Sequence, residues 1–361
     1  MYPLNLLIKP ASANCNFKCS YCFYEDISKN RQTFSYGFMS FDTLEKIVKK
    51  ALSFSVFSCG FMFQGGEPTL VGLDFYKNFI SYVNKYNTKN LEISYCIQTN
   101  GFLLDDNWAK FLYENKFLVG ISLDGIKETN DINRVDTDNK GTFDYVLDRI
   151  NLLKKYNIDF NVLTVVTSQV AKNINKIYKF YKDNKLVYQQ YIPCLNPIGD
   201  DSLKAYSLTP KLYGDFLCNL FDLWYEDITN DNFIYNRYFE NLVGILKGYT
   251  PEACSMRGVC SFQNVIEADG SIYPCDFYVL DKYKLGNILT DDFHKIHKNI
   301  SFIETSNKIE EDCKTCKWLR LCRGGCKRDR DKNLDGNLSK NYYCSSYKQF
   351  FDYSINRLLR L

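Results

Sequence analysis

A chain of 361 residues with 45 Lys and Arg against 42 Asp and Glu carries a formal charge of +3, and no long block of one sign offers a face for nucleic acid. With 45% hydrophobic and 24% charged residues it is composed like a soluble globular protein with one sizeable core, or a core and a smaller domain. The apolar run within Met1–Pro10 is too short for a secretory leader and nothing approaches the roughly 20 apolar residues of a membrane span, so a cytoplasmic, reducing setting is expected, in which cysteines serve metal or redox chemistry rather than disulfides.

From the first residues to about 195, short apolar runs alternate with amphipathic stretches, the pattern of βα units around a parallel sheet. Strands are expected at Leu4–Ile8, Gly60–Phe63, Leu91–Ile97, Leu118–Leu123, Phe160–Val166 and Val187–Ile192. Behind a Ser40 N-cap, Phe41, Leu44, Ile47, Val48, Ala51 and Leu52 form a helical stripe that should pack on the sheet. Strands run into polar or glycine-bearing clusters, among them Gln64-Gly65-Gly66-Glu67-Pro68, Gln98-Thr99-Asn100-Gly101 and Ser122-Leu123-Asp124-Gly125. In a β/α barrel that edge carries the active site. One helical stretch is expected from about Pro210 to Leu246, with Phe216, Leu217, Leu220, Phe221, Leu223 and Trp224 as its apolar stripe. From Cys254 onward cysteines and glycines concentrate and periodicity fades until a terminal helix containing Phe350, Phe351, Ile355 and Leu358, the signature of a small metal-stapled domain.

The chemistry begins in the loop after the first strand. Cys15, Cys19 and Cys22 form a CxxxCxxC run; three thiolates on a four-iron cluster leave one iron open to a ligand, whereas a zinc knuckle needs a fourth ligand. Gly65 and Gly66 permit close backbone approach and positive φ, so their turn suits a small zwitterionic ligand near its N–H groups. Towards the C-terminus stand Cys254, Cys260, Cys275, Cys313, Cys316, Cys322, Cys326 and Cys344, enough thiols for two four-iron clusters with no open iron. Spacing alone leaves a zinc ribbon open for this segment and does not pair the eight. Cys59, Cys96, Cys194 and Cys218 read as small buried hydrophobes, and His294 and His297, without a ligand set beside them, are expected on the surface.

CxxxCxxC with Tyr21 before its last cysteine, followed one βα unit later by Gly65-Gly66-Glu67-Pro68, resembles the radical S-adenosylmethionine (SAM) superfamily, and the C-terminal cysteines resemble its SPASM domain. Leu6-Leu7-Ile8-Lys9-Pro10-Ala11-Ser12, Tyr21-Cys22-Phe23-Tyr24, Phe63 to Pro68, Gln98-Thr99-Asn100-Gly101 and Tyr273-Pro274-Cys275-Asp276-Phe277-Tyr278 extend the resemblance, over nearly the whole chain, to the anaerobic sulfatase-maturating enzymes. The expected fold is α/β: a partial (β/α)6, TIM-like barrel over 1–205, a helical bridge over 206–250, a SPASM domain with two auxiliary iron–sulfur clusters over 251–345, and a C-terminal helix over 346–361.

The resemblance implies oxidation of a Cys or Ser in a sulfatase polypeptide to Cα-formylglycine, using SAM and three [4Fe–4S] clusters. It gives Cys15, Cys19 and Cys22 the SAM-cleaving cluster, and Tyr21, Gly66, Ser122, Arg134 and Leu195 contacts to SAM. It assigns Cys254, Cys260, Cys275 and Cys326 to one auxiliary cluster and Cys313, Cys316, Cys322 and Cys344 to the other. Asp276 matches the family's proton acceptor, and Tyr24, Gln64 and Gln98 are candidates for holding the peptide. The implied partners are an unfolded or nascent sulfatase polypeptide and a low-potential electron donor such as flavodoxin or ferredoxin, with neither nucleic acid nor membrane. Two other readings stand beside it. A SPASM peptide maturase would form thioether or carbon–carbon crosslinks in a small precursor and differ in product mass; a zinc-binding scaffold for protein partners would differ in metal content.

Overall fold

The computed structural model describes residues 4–200 and 202–361; residues 1–3, on which the leader argument partly drew, lie outside the described residues. A ten-stranded sheet organises the chain: β1 (Leu4–Ile8), β2 (Ser58–Phe63), β3 (Glu92–Thr99), β4 (Leu118–Ser122), β5 (Phe160–Val166), β6 (Tyr188–Pro193), β7 (Tyr235–Asn236), β8 (Val265–Ile266), β9 (Ser271–Tyr273) and β10 (Gly286–Asn287), in the order β10-β9-β8-β1-β2-β3-β4-β5-β6-β7. From β8 to β7 every pairing is parallel, and β9 and β10 add antiparallel. The six expected strands are present, two with the expected bounds and four with one or both edges displaced by one or two residues.

Parallel strands need crossovers, and helices supply them. They are α1 (Phe23–Lys29), α2 (Phe41–Phe54), α3 (Leu73–Tyr86), α4 (Asp106–Glu114), α5 (Phe143–Lys155) and α6 (Ile174–Asp183), followed by α7 (Pro210–Thr229), α8 (Arg237–Leu246) and the terminal α9 (Cys344–Leu358). In α2 the Ser40 hydroxyl accepts the Thr43 N–H, and Leu44, Ile47, Val48, Ala51 and Leu52 are buried. Phe41 departs from the expectation: at the first helical position it stays 48% exposed, stacked on Phe75 instead of the sheet.

The helical stretch expected from Pro210 to Leu246 is built as two helices. Asn230 and Asn232 donate their N–H groups to the Asp227 carbonyl and Asp231 adopts positive φ, so an Asn/Asp run diverts the backbone out of α7. β7 fits into that gap, and Asn236 caps α8 by accepting from the N–H groups of Tyr238 and Phe239. Phe216, Leu217, Leu220, Phe221 and Trp224 of α7 are buried, with Phe221 packed edge-on against Phe350 of α9. Leu223 is half-buried.

The cysteine-rich segment enters the barrel sheet itself. β8 pairs with β1 through Leu7 and Ile8, and the Lys9 N–H donates to the Ile266 carbonyl at 2.8 Å. His297 is not the surface residue expected. It is half-buried, stacked on Phe262 at 4.8 Å and bonded to Asn264 at 2.7 Å, because Phe54, Phe262 and Phe293 wall it in; His294 stays exposed. Cys59 and Cys194 are buried, and Cys96 and Cys218 are partly so. No helix among the described residues is long and apolar enough to cross a membrane.

Candidate functional site

At the C-terminal edge of β1 the chain enters the cysteine loop. A short strand, Phe17–Cys19, pairs antiparallel with Arg134–Asp136 and sets Cys19 opposite Arg134. Cys22 is the N-cap of α1, its sulfur accepting the Glu25 N–H at 3.5 Å, while Cys15 accepts from the Phe17 N–H at 3.4 Å and from the Asn100 amide at 3.9 Å. The three thiols lie within one another's electrostatic reach. Burial pushes the Cys19 thiol up to about 12, with Arg134 opposing and Cys22 adding to the rise. Clustered thiolates that repel one another are held deprotonated by a bound cation, and iron would supply it, so these residues fit a cluster. Among the described residues no three His, Cys, Asp or Glu side chains are grouped as a single metal ion would need.

The glycine turn braces this loop. The Gly66 N–H donates to the Ser12 carbonyl and the Glu67 N–H to the Asn14 carbonyl, both at 2.8 Å. These two N–H groups, which were expected to face a ligand, are spent on the loop. A Cβ on Gly66 would stand 2.0 Å from the Asn14 carbonyl oxygen. Glu67, 1% exposed, accepts from Thr69, from the Thr99 hydroxyl at 2.6 Å and from the Asn100 N–H at 2.8 Å, tying the turn to the end of β3. Gly66→Ala is therefore expected to displace the cysteine loop and lower its capacity to hold iron, read by iron analysis after anaerobic reconstitution.

On the other side of the loop, the Tyr21 hydroxyl donates to the Asp124 carboxylate and accepts from Arg134 at 3.1 Å. Asp124, fully buried, also accepts the Val165 N–H. Arg134 is 7% exposed, and its Nε has no protein partner. Ser122 ends β4. Leu195 lines a cavity of about 180 Å³ together with Tyr21, Cys22, Asn196, Tyr206 and Phe277.

Asp276 sits at the ends of β1 and β2, against Lys9 and Gln64, with its neighbour Phe277 on the cavity wall. It is 7% exposed; its Oδ1 meets Lys9 Nζ at 2.5 Å, its Oδ2 accepts from the Gln64 amide, and its N–H donates to Gln263 at 3.0 Å. Lys9 is fully buried and stands 3.7 Å over the Tyr24 ring, whose hydroxyl donates to Glu267, itself paired with Arg31 at 2.6 Å. Asp276, Gln64 and Tyr24 are thus brought together around Lys9. Gln98 lies on β3, half-buried and outside this network.

The C-terminal thiols gather in two foursomes. Cys275 senses Cys326, and both sense Cys254 and Cys260. Cys322 senses Cys313, Cys316 and Cys344. Lys9, Asp124 and Asn100 were not singled out by sequence. A lysine ending an apolar strand and a polar cluster at a strand end were the available signals.

The model of the radical SAM superfamily matches residues 10–181, and that of the SPASM iron–sulfur cluster-binding domain matches residues 254–317. The cysteine-type anaerobic sulfatase-maturating enzyme of Clostridium perfringens is 50% identical over 365 aligned positions, covering 100% of this chain and 99% of its own. The serine-type enzyme of Bacteroides thetaiotaomicron is 32% identical, covering 97% and 89%. A solved structure, native anSMEcpe with bound AdoMet and Cp18Cys peptide, superposes with a TM-score of 0.95 at 49% identity over 99% of this chain and 98% of that one.

Proposed function

Since the chain belongs to the anaerobic sulfatase-maturating enzymes of the radical SAM superfamily, we propose that it converts a cysteine of a sulfatase polypeptide to Cα-formylglycine. The observation that carries this is Asp276, a nearly buried carboxylate beside the auxiliary cysteines, clamped by Lys9 and Gln64. Cysteine is preferred to serine as the target because the 50%-identical relative is of the cysteine type and the 32%-identical one of the serine type.

Cys15, Cys19 and Cys22 would hold one [4Fe–4S] cluster, and the two C-terminal foursomes one each. When bound, the first cluster and SAM supply the 5'-deoxyadenosyl radical that removes a hydrogen atom from the substrate Cβ, and the auxiliary clusters provide an exit for one further electron. Arg134, with an unsatisfied Nε, suits the SAM carboxylate; Tyr21, Gly66, Ser122 and Leu195 complete that side. Asp276 accepts the thiol proton. The thioaldehyde left after loss of that hydrogen atom, proton and electron gains water and releases hydrogen sulfide to give the aldehyde. Tyr24, Gln64 and Gln98 are proposed to position the peptide.

The division into barrel (1–205), bridge (206–250), cluster domain (251–345) and terminal helix (346–361) is proposed with it, as are a cytoplasmic setting and a flavodoxin or ferredoxin donor. Anaerobic purification should give about 12 iron per chain, the content of three cubane clusters. With reductant, SAM and a peptide carrying a Cys-x-Pro-x-Arg motif, the product mass should be that of formylglycine. Loss of two hydrogens without loss of sulfur would favour a crosslinking maturase, and one to three zinc without iron a scaffold.

A further inference from the structure

Of the six buried lysines and arginines among the described residues, three pair with a carboxylate. Lys9 has Asp276 at 2.5 Å, Arg31 has Glu267 at 2.6 Å, and Lys327 has Asp331 at 2.8 Å. Arg330 has none. It is 3% exposed; Nη1 donates to the Lys308 carbonyl at 2.5 Å, Nη2 to the Ser306 carbonyl at 2.8 Å, and Nε has no protein partner. Among the described residues no carboxylate makes an ion pair with it, its chain neighbour Asp329 included. Arg328 also lacks an ion pair, but its side chain borders the open cavity. A guanidinium taken out of water and answered only by carbonyl dipoles is costly unless an anion lies nearby.

Two anionic groups lie within the electrostatic reach of Arg330: the Asp329 carboxyl, which it shares with Arg328, and the first foursome of cysteines. Ser306, whose carbonyl accepts from Arg330, uses its hydroxyl to accept the Cys260 N–H at 2.9 Å, and the Cys260 thiol senses both Arg330 and Lys327. Asp331 pairs with Lys327, and Asp329 is shared between Arg328 and Arg330 without an ion pair to either, so Arg330 is the less compensated of the two cations that the Cys260 thiol senses. A [4Fe–4S] cluster on four thiolates is a dianion that becomes a trianion on reduction, and a fixed cation in a dry surround favours the more negative state.

We infer that Arg330 is the counter-charge of the cluster on Cys254, Cys260, Cys275 and Cys326, and that it raises that cluster's reduction potential. The inference rests on the cluster reading of these cysteines, not on formylglycine as the product. Absence of iron from the wild-type protein would sink the cluster reading before any potential is compared.

The test is an EPR-monitored redox titration of the full chain in which alanine replaces Cys15, Cys19 and Cys22, so that the auxiliary clusters alone report. Arg330→Met should move one of the two reduction waves to lower potential and leave the other in place. Arg330→Lys, which loses the two-carbonyl fork but keeps the charge, should hold that wave near its wild-type position. Should the Met variant fail to assemble, the Lys variant decides alone: a wave at the wild-type position supports the counter-charge, and a fall in potential despite the retained cation overturns it. An Arg330→Met protein with both waves unmoved overturns it as well.

Discussion

Replacing Asp276 by asparagine is expected to lower formylglycine formation by about 10² to 10⁴-fold, the range general-base catalysis supplies. Iron content and cleavage of SAM to 5'-deoxyadenosine should survive, because the three cysteines of the first loop and the Tyr21–Asp124–Arg134 group do not touch this side chain. Asparagine keeps the shape and an acceptor oxygen for Lys9, yet it cannot take a proton from a thiol. The measurement is the ratio of aldehyde to 5'-deoxyadenosine by mass spectrometry. A variant that keeps the wild-type ratio would remove Asp276 from the reaction.

Lys9→Met should be the most destabilising single change in this region. Lys9 is 0% exposed, and its departure leaves a nearly buried carboxylate with the Gln64 amide and no cation; severing a buried pair in this way costs about 3–5 kcal/mol. Removing both charges costs far less than removing one. The Lys9→Met, Asp276→Asn double variant should therefore unfold at a higher temperature than Lys9→Met alone, while remaining inactive. Additive losses in such a cycle would mean that the two groups do not depend on each other.

These expectations show what the sequence could and could not disclose. The cysteine loop was legible because its ligands lie on one short segment, where spacing alone limits which metals fit. So was α2, whose cap and stripe are local. Lys9 and Asp276 come from opposite ends of the chain and meet only because β8 pairs with β1. The two foursomes of cysteines share that difficulty: their grouping depends on how a segment poor in regular structure is wound, and periodicity carries no such information. The glycine turn misled in a different way. Its composition announced free N–H groups, but whether a donor is free is decided by what packs beside it, here the carbonyls of Ser12 and Asn14. The interruption after α7 was readable in principle, since Asn230-Asp231-Asn232 is turn chemistry placed inside an apolar stripe.

The parallel pairing of β1 with β8 also has a consequence for synthesis. β1 leaves the ribosome well before its partner on that side, which is encoded near residue 265. At about 5–20 residues per second the barrel strands can assemble on β2 while the far side of β1 stays an open hydrogen-bonding edge for on the order of tens of seconds. An exposed apolar edge invites pairing with a neighbouring chain. Translation that stalls before Val265 would thus release an aggregation-prone product, and slow elongation or chaperone shortage should reduce the yield of this protein before any iron is involved.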